Sequence, residues 1–212
     1  MSPEQAITDL VSSLPREGDG KVRFQLIRTL ERLVRRHTSF PLDRAPLQEA
    51  VTATTARAYL YIDARLVLTR AAARAPERKT PGHDLLSTLL RDKARNARGR
   101  LFRLLGLLYP TDDFGHIYRG LGGGRELRAT SMELIESILG EPLRSAVLGL
   151  ADDGEDAIRL ARAGRYHRPL GADYDSVLTI LATGDSDSVR DVTYFHAAEL
   201  GLSLRASQDE AA

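Results

Sequence analysis

One phrase recurs three times in this chain: an acidic or glycine-containing turn, an aliphatic-Arg pair, and then an amphipathic run. It reads Asp19-Gly20-Lys21-Val22-Arg23 into Phe24 to Leu33, Gly123-Gly124-Arg125-Glu126-Leu127-Arg128 into Ala129 to Leu139, and Asp187-Ser188-Val189-Arg190 into Asp191 to Leu202. A turn that ends one helix, polar residues that cap the next and an apolar stripe that needs a neighbour to cover it are the marks of a helical repeat. The three phrases lie 105 and 62 residues apart, counted between their arginines. The spacing therefore predicts an array interrupted by something longer.

The interruption is a helical hairpin over residues 43–108. Ala50, Ala53, Thr54, Ala58, Tyr61, Ile62, Arg65, Leu66 and Leu68 recur at helical steps up to about Ala75. The polar stretch Pro76 to Gly82, with two prolines, reads as the connecting loop. A second long helix from His83-Asp84 reaches Leu108 through Leu85, Leu86, Leu89, Leu90, Ala94, Ala97, Leu101, Phe102, Leu104 and Leu105. Ahead of the hairpin, Ser2-Pro3-Glu4 starts a helix that stops at Pro15, and a second helix runs from the Gly18-Asp19-Gly20 turn to about His37. Beyond Tyr109-Pro110 the elements shorten. Thr111 is expected to cap a helix to Leu121, followed by Glu126 to Leu139, Pro142 to Leu150, Gly154 to Ala163, Tyr174 to Ala182 and Val189 to Leu202. No stretch alternates with period two over the length of a strand.

The expected fold is all-α, a HEAT-like α-solenoid of about eight to ten helices with the long hairpin near its middle. Residues 1–110 form the N-terminal helical region, 111–204 the HEAT-like repeats, and 205–212 a small, polar tail expected to fray, all in one continuous stack. With 42% hydrophobic and 28% charged residues the chain is apolar enough to fold, and no window approaches the roughly 18 apolar residues of a spanning helix. The start, Met1-Ser2-Pro3-Glu4-Gln5, has neither the basic patch nor the apolar run of a signal peptide. A cytoplasmic setting is the expectation. The absence of cysteine excludes disulfides, thiolate metal sites and Cys nucleophiles together.

Three stretches resemble the HEAT-like helical region of bacterial proteins that join a nucleotide-carrier-like major facilitator membrane domain to cytoplasmic HEAT repeats. They are Val22 to Leu30 with Arg35-Arg36-His37 and Phe40-Pro41-Leu42-Asp43-Arg44; Arg100-Leu101-Phe102-Arg103-Leu104-Leu105-Gly106-Leu107-Leu108-Tyr109-Pro110; and Ile117-Tyr118-Arg119-Gly120-Leu121 leading to Glu126-Leu127-Arg128-Ala129 and Glu141-Pro142-Leu143-Arg144. The second is the most specific. The resemblance spans about residues 20–150 and implies an all-α cytoplasmic module that scaffolds or regulates a membrane transporter. It supplies no catalytic motif, and this chain departs from the fused pattern in having no membrane segment.

Charge is divided unevenly. Residues 1–110 hold 20 Lys/Arg against 11 Asp/Glu and residues 111–212 hold 10 against 18, so the halves carry about +9 and −8. The densest basic run is Arg91, Lys93, Arg95, Arg98, Arg100 and Arg103, opposed by Asp92. At 100° per residue Arg91, Arg95 and Arg98 share a face, while Lys93 and Arg100 lie off it with Arg103 nearer to them, so the run wraps the helix. Arg91, Arg95, Arg98, Arg100 and Arg103 are the candidate binding surface, which Arg28, Arg32, Arg35 and Arg36 extend if the two helices lie side by side. A wrapping run also suits a solvated outer face with salt bridges to neighbours. The repeat arginines Arg23, Arg128 and Arg190 read as a structural ladder bridging turn to turn.

Other constellations carry less. Gly120 to Arg125 lacks the Lys-Ser/Thr ending of a phosphate loop, and Asp152-Asp153-Gly154-Glu155-Asp156 is too compact for a calcium loop. The five histidines, His37, His83, His116, His167 and His196, include no i, i+4 pair for a metal, and no nucleophile elbow marks a hydrolase. No catalytic residue, metal site or cofactor is assigned. The expected function is non-enzymatic scaffolding or regulation through a protein partner, with membrane contact only through that partner or a parent chain. The alternative is nucleic-acid binding. Its remote enzymatic form, a HEAT-like alkylpurine DNA glycosylase, would need Tyr109, Tyr118, Tyr166 and Tyr174 to replace tryptophans that the chain lacks.

Overall fold

Helix starts in this chain are written in short polar side chains, and the computed structural model, which describes residues 2–37 and 40–204, places them accordingly. Ser2 caps α1 (Pro3–Ser13) and Asp19 caps α2 (Gly20–Arg36), its Oδ1 accepting from the Lys21 and Val22 N–H groups at 2.7 and 2.8 Å. Asp43 caps α3 (Arg44–Arg74) and Thr80 caps α4 (Pro81–Leu108), with a 3-10 turn at Pro76–Arg78 between them. α5 (Phe114–Leu121) begins two residues later than Thr111 would start it. Asp113 is its cap, accepting from His116 N–H at 2.8 Å, because a carboxylate three residues before a free N–H outcompetes the hydroxyl, which instead donates to Asp112. α6 (Arg125–Ile138), α7 (Leu143–Ala151), α8 (Asp156–Ala161), a 3-10 turn at Gly164–Tyr166, α9 (Tyr174–Thr183) and α10 (Asp187–Glu199) follow. The described residues thus form ten α-helices and no strand. The tail expected to fray, 205–212, lies outside the described residues.

The α3–α4 hairpin is the centre of the fold. Small residues on the facing sides, Ala50, Ala58 and Ala64 of α3 and Ala94 and Ala97 of α4, let the two helices approach, and Leu68, Leu86, Leu90, Leu101 and Leu105 fill the seam. After the hairpin, α5 packs on α6, α6 on α7 and α7 on α8. They do not lead away from the centre: α7, α8 and α9 return to α3, and α10 lies against α4. α2 packs on α1 and α4. No helix among the described residues is long and apolar enough to cross a membrane.

Arg23, Arg128 and Arg190 occupy one position, the fourth residue of α2, α6 and α10. Each turns back to carbonyl oxygens that a helix end or turn leaves without a partner. Arg23 donates to Glu17 O and Gly18 O, Arg128 to Leu121 O and Ala151 O, and Arg190 to Gly184 O. Arg128 adds an ion pair to Asp153 at 2.5 Å, and Arg190 one to Asp187 in its own first turn. The recurring phrase therefore joins each helix to the backbone that precedes it, and in Arg128 also to the end of α7.

α7 crosses α3 where Tyr59 Oη donates to Ala146 O at 2.7 Å. A Cβ on Gly149 would stand 2.5 Å from that Tyr59 Oη, 2.9 Å from Arg162 Cβ and 3.0 Å from Arg159 O. Two of those neighbours are on or next to backbone, so they cannot swing aside. Gly149→Ala is expected to lose about 1–3 kcal/mol, about 2–4 °C of Tm for each kcal/mol, while Gly140→Ala, which meets nothing within 4 Å, leaves Tm unchanged. Thermal denaturation followed by circular dichroism checks both; equal melting of the two variants would refute the close approach.

Candidate functional site

The α4 stripe that faces α2 is polar where a packed helix pair would be apolar. Lys93, Asn96, Arg100 and Arg103 succeed one another at three- and four-residue steps, and with Gly99, Gly106 and Leu107 they floor a cleft of about 1970 Å³. α2 roofs it with Lys21, Phe24 and Val34, α3 contributes Arg57 and Tyr61, the turn before α10 contributes Asp185 and Ser186, and Phe114 and Tyr118 of α5 wall the far side. Polar side chains of this length cannot interlock as ridges and grooves, so the cleft opens where they lie between α2 and α4. The two are tied across the gap by Arg103, which pairs with Glu31 at 2.6 Å and lies 5.3 Å from the centre of the Phe24 ring.

The basic run divides between two surfaces. Arg91 is exposed and does not line the cleft. Arg95 borders the cleft, is exposed, and pairs with Asp92 at 3.1 Å. Arg98 turns to the other side, donating to Leu150 O at 3.3 Å, 3.9 Å from Asp153 and lying over the Tyr118 ring. Arg103 is paired as above. Arg100 is different: it is 8% exposed, and its Nε is buried with no hydrogen-bond partner, as is that of Arg98, whose Nη1 however is held by Leu150 O. Among the described residues no hydrogen bond or ion pair reaches the Nη groups of Arg100 either. Burial holds its guanidinium below its usual range, with Arg57 acting in the same direction and Tyr61 and Asp19 against. Arginine stays protonated regardless, so a buried positive charge faces the cleft.

Around Arg100 the partners are already spoken for. Arg57 pairs with Asp185 at 2.7 Å, and Asp19 is engaged by the first N–H groups of α2. Lys93 has no ion pair among the described residues; burial and the neighbouring Arg100 lower its pKa. Burial pushes the Tyr61 phenol up, so it remains a neutral O–H donor. Of the four tyrosines considered for a lesion pocket, Tyr118 lines the cleft, while Tyr166 and Tyr174 are buried elsewhere and Tyr109 lies under Arg44. No family model matches the chain, and no curated protein or solved structure matches it.

Arg57, Tyr61 and Asp185 do not stand out in the sequence as a site, and Lys93 belongs to the basic run without being among its candidate binding residues. Arg57 and Tyr61 do sit one helical turn apart on α3, but Asp185 is 128 residues from its partner Arg57, and no local pattern reports that contact.

Two buried histidine clusters lie away from the cleft. His83 and His196 have ring centres 5.9 Å apart; His196 Nδ1 meets Thr80 Oγ1 at 2.9 Å, and its Nε2 meets Tyr174 Oη. Burial lowers the His196 pKa, against the Glu199 carboxylate 3.7 Å from Nδ1, and pushes Tyr174 up to about 12. The cluster latches α9 and α10 to the start of α4. The second is Asp63 with His167, which pins the segment after the Gly164–Tyr166 turn to α3. No group of three or more His, Asp or Glu side chains able to hold a metal occurs among the described residues. None of these cluster residues lines the cleft.

Proposed function

We propose that the chain is a non-catalytic, HEAT-like helical module that works in the cytoplasm by holding an extended segment of a protein partner in the α2–α4 cleft. The observation that carries this reading is the cleft itself. At about 1970 Å³ it exceeds the roughly 300–1,000 Å³ of small-molecule sites, and it runs between α2 and α4 with α3, α5 and the start of α10 along its sides. Its floor offers alternating polar groups and glycines, suited to a backbone laid along it. The neighbour-on-neighbour packing of α5 to α8 supports the helical-repeat relationship. Consumption of Arg95, Arg98 and Arg103 by Asp92, Asp153 and Glu31 favours a protein partner over a phosphate track. The resemblance to major facilitator–HEAT fusions makes a cytoplasmic segment of a transporter the partner of first choice.

A displayed library of linear peptides, panned on the wild-type chain and on Asn96→Trp, tests the reading. Asn96 is exposed on the cleft floor, so the indole fills the trough without entering the core. The wild type is expected to enrich a peptide family with Kd of about 1–100 μM, and Asn96→Trp to weaken it at least tenfold. Enrichment of nothing by the wild type, or equal binding by both, overturns it, as does salt-sensitive capture of duplex DNA in preference to peptide.

A further inference from the structure

The cleft has a chemically distinct end. The first turn of α2 lies over Arg100, where a Cβ on Gly20 would stand 3.6 Å from Nη1, and the α9–α10 turn closes in beside it, Gly18 meeting Asp185 at 3.8 Å in the same way. Into this corner project two cations with no ion pair among the described residues, Arg100 and Lys93. A buried donor left without an acceptor is costly, and native structures leave few of them. A purely structural arginine would have been given a carboxylate or carbonyls, as Arg23 and Arg128 are. Of the acids that line the cleft, Asp185 is engaged by Arg57, Asp19 by the α2 backbone and Asp187 by Arg190, while the exposed Asp191 pairs with neither cation.

We infer that this end of the cleft is a seat for an oxyanion, a carboxylate or phosphoryl group carried by the ligand, gripped by Arg100 and Lys93. The planar guanidinium presents its two Nη groups as a fork that matches two oxygens at once, and the lysine ammonium supplies the second charge. Tyr61, lining the same corner, offers a hydroxyl donor. The start of α10 lies beside this corner, with no side-chain capping bond from Ser186 and with Asp187 in its own first turn offsetting the helix dipole. Desolvation in this corner strengthens each contact relative to the exposed rim. The seat explains the unpartnered arginine: its partner arrives with the ligand. The inference deepens the cleft reading by naming the chemistry of one anchor on the bound segment.

The test is a titration of the full chain with sodium phosphate and, separately, sodium acetate at constant ionic strength, following the Arg Nε–H resonances by NMR. The Arg100 signal is expected to shift and saturate. Arg100→Gln and Lys93→Gln should each weaken the response at least threefold, and Arg100→Lys should not restore the fork. Saturation at lower phosphate than acetate assigns a phosphoryl group; the reverse order assigns a carboxylate. Arg100→Gln is also expected to melt no lower than the wild type, because it removes a buried unpaired charge; a structural arginine would lower Tm. No saturable shift with either anion overturns the seat, and so does an unchanged response in Lys93→Gln, a variant at a half-buried position that keeps the test open if Arg100→Gln fails to fold. The outcomes separate from those of peptide selection. Saturation without any enriched peptide leaves the seat standing and removes the segment reading. Enriched peptides bound equally by Arg100→Gln leave the cleft standing and remove the seat.

Discussion

Phe102→Ala is expected to cost about 3–5 kcal/mol, among the largest losses any single truncation in this chain would bring. Phe102 is 2% exposed and sits at the middle of an aromatic group, its ring centre 5.1 Å from that of Tyr118 and 6.3 Å from that of Phe114. Both neighbours belong to α5. Eight residues are too few to hold a helix in water unaided, so α5 depends on Phe114, Ile117 and Leu121 finding apolar partners. Removing the ring takes away the surface against which they dock, and the cleft wall goes with it. Amide exchange in α5 should therefore accelerate more than exchange at the α3–α4 seam, and chemical denaturation should report the full loss. Phe102→Leu, which keeps most of the volume, is expected to stay within about 1.5 kcal/mol of the wild type. A Phe102→Ala variant less than about 1 kcal/mol below wild type would show that the aromatic group does not carry α5.

The same ring illustrates how far local pattern reaches. Residues 100–110 stand out in the sequence, and their apolar members Leu101, Phe102, Leu104 and Leu105 are buried as the helical period requires. The hairpin expected over 43–108 corresponds to α3 and α4, because length, caps and the two-proline loop are all local signals. The order of packing beyond the hairpin is not local. Nothing in residues 143–199 says that α7, α8 and α9 come back to α3 while α10 returns to α4. The cleft suffers in the same way. The helical wheel separated Arg100 and Lys93 from Arg91, Arg95 and Arg98, but which of the two faces looked into a cavity depended on where α2 and α10 came to rest. Arg91, placed first in the basic run, lies outside the cleft, and Arg100, one member among five, becomes its focus because its neighbours find acids and it does not. The repeat arginines show the converse: their common place as the fourth helical residue follows from the turn just before them, so it could be read from the chain.

Asp63→Ala is expected to lose about 2–6 kcal/mol at neutral pH, roughly 1–3 kcal/mol for each of two buried donors left without an acceptor. Asp63 is 6% exposed, and its Oδ2 accepts from His167 Nε2 at 2.7 Å and from Leu170 N–H at 2.8 Å. An ionised carboxylate only accepts, so Nε2 of His167 carries the proton in this contact. Truncation leaves both donors without a partner and releases the segment between the Gly164–Tyr166 turn and α9 from α3. The pair also predicts a pH dependence. Burial raises the Asp63 pKa, but the His167 hydrogen bond, the Leu170 N–H and the charges of His167 and Arg70 outweigh it, and the net shift is downward. Between the lowered folded value and the unfolded value near 3.9, the unfolded chain binds the extra proton. The stabilisation is consequently complete above the unfolded value and disappears as pH falls through the folded one. Urea denaturation of wild type and Asp63→Asn from about pH 7 down to pH 2 should show a gap that is constant above about pH 4 and narrows below it. A gap that stays constant through the acid range would mean that Asp63 holds its partners without being ionised, and the anchoring of this segment would then rest on Leu170 N–H rather than on the histidine.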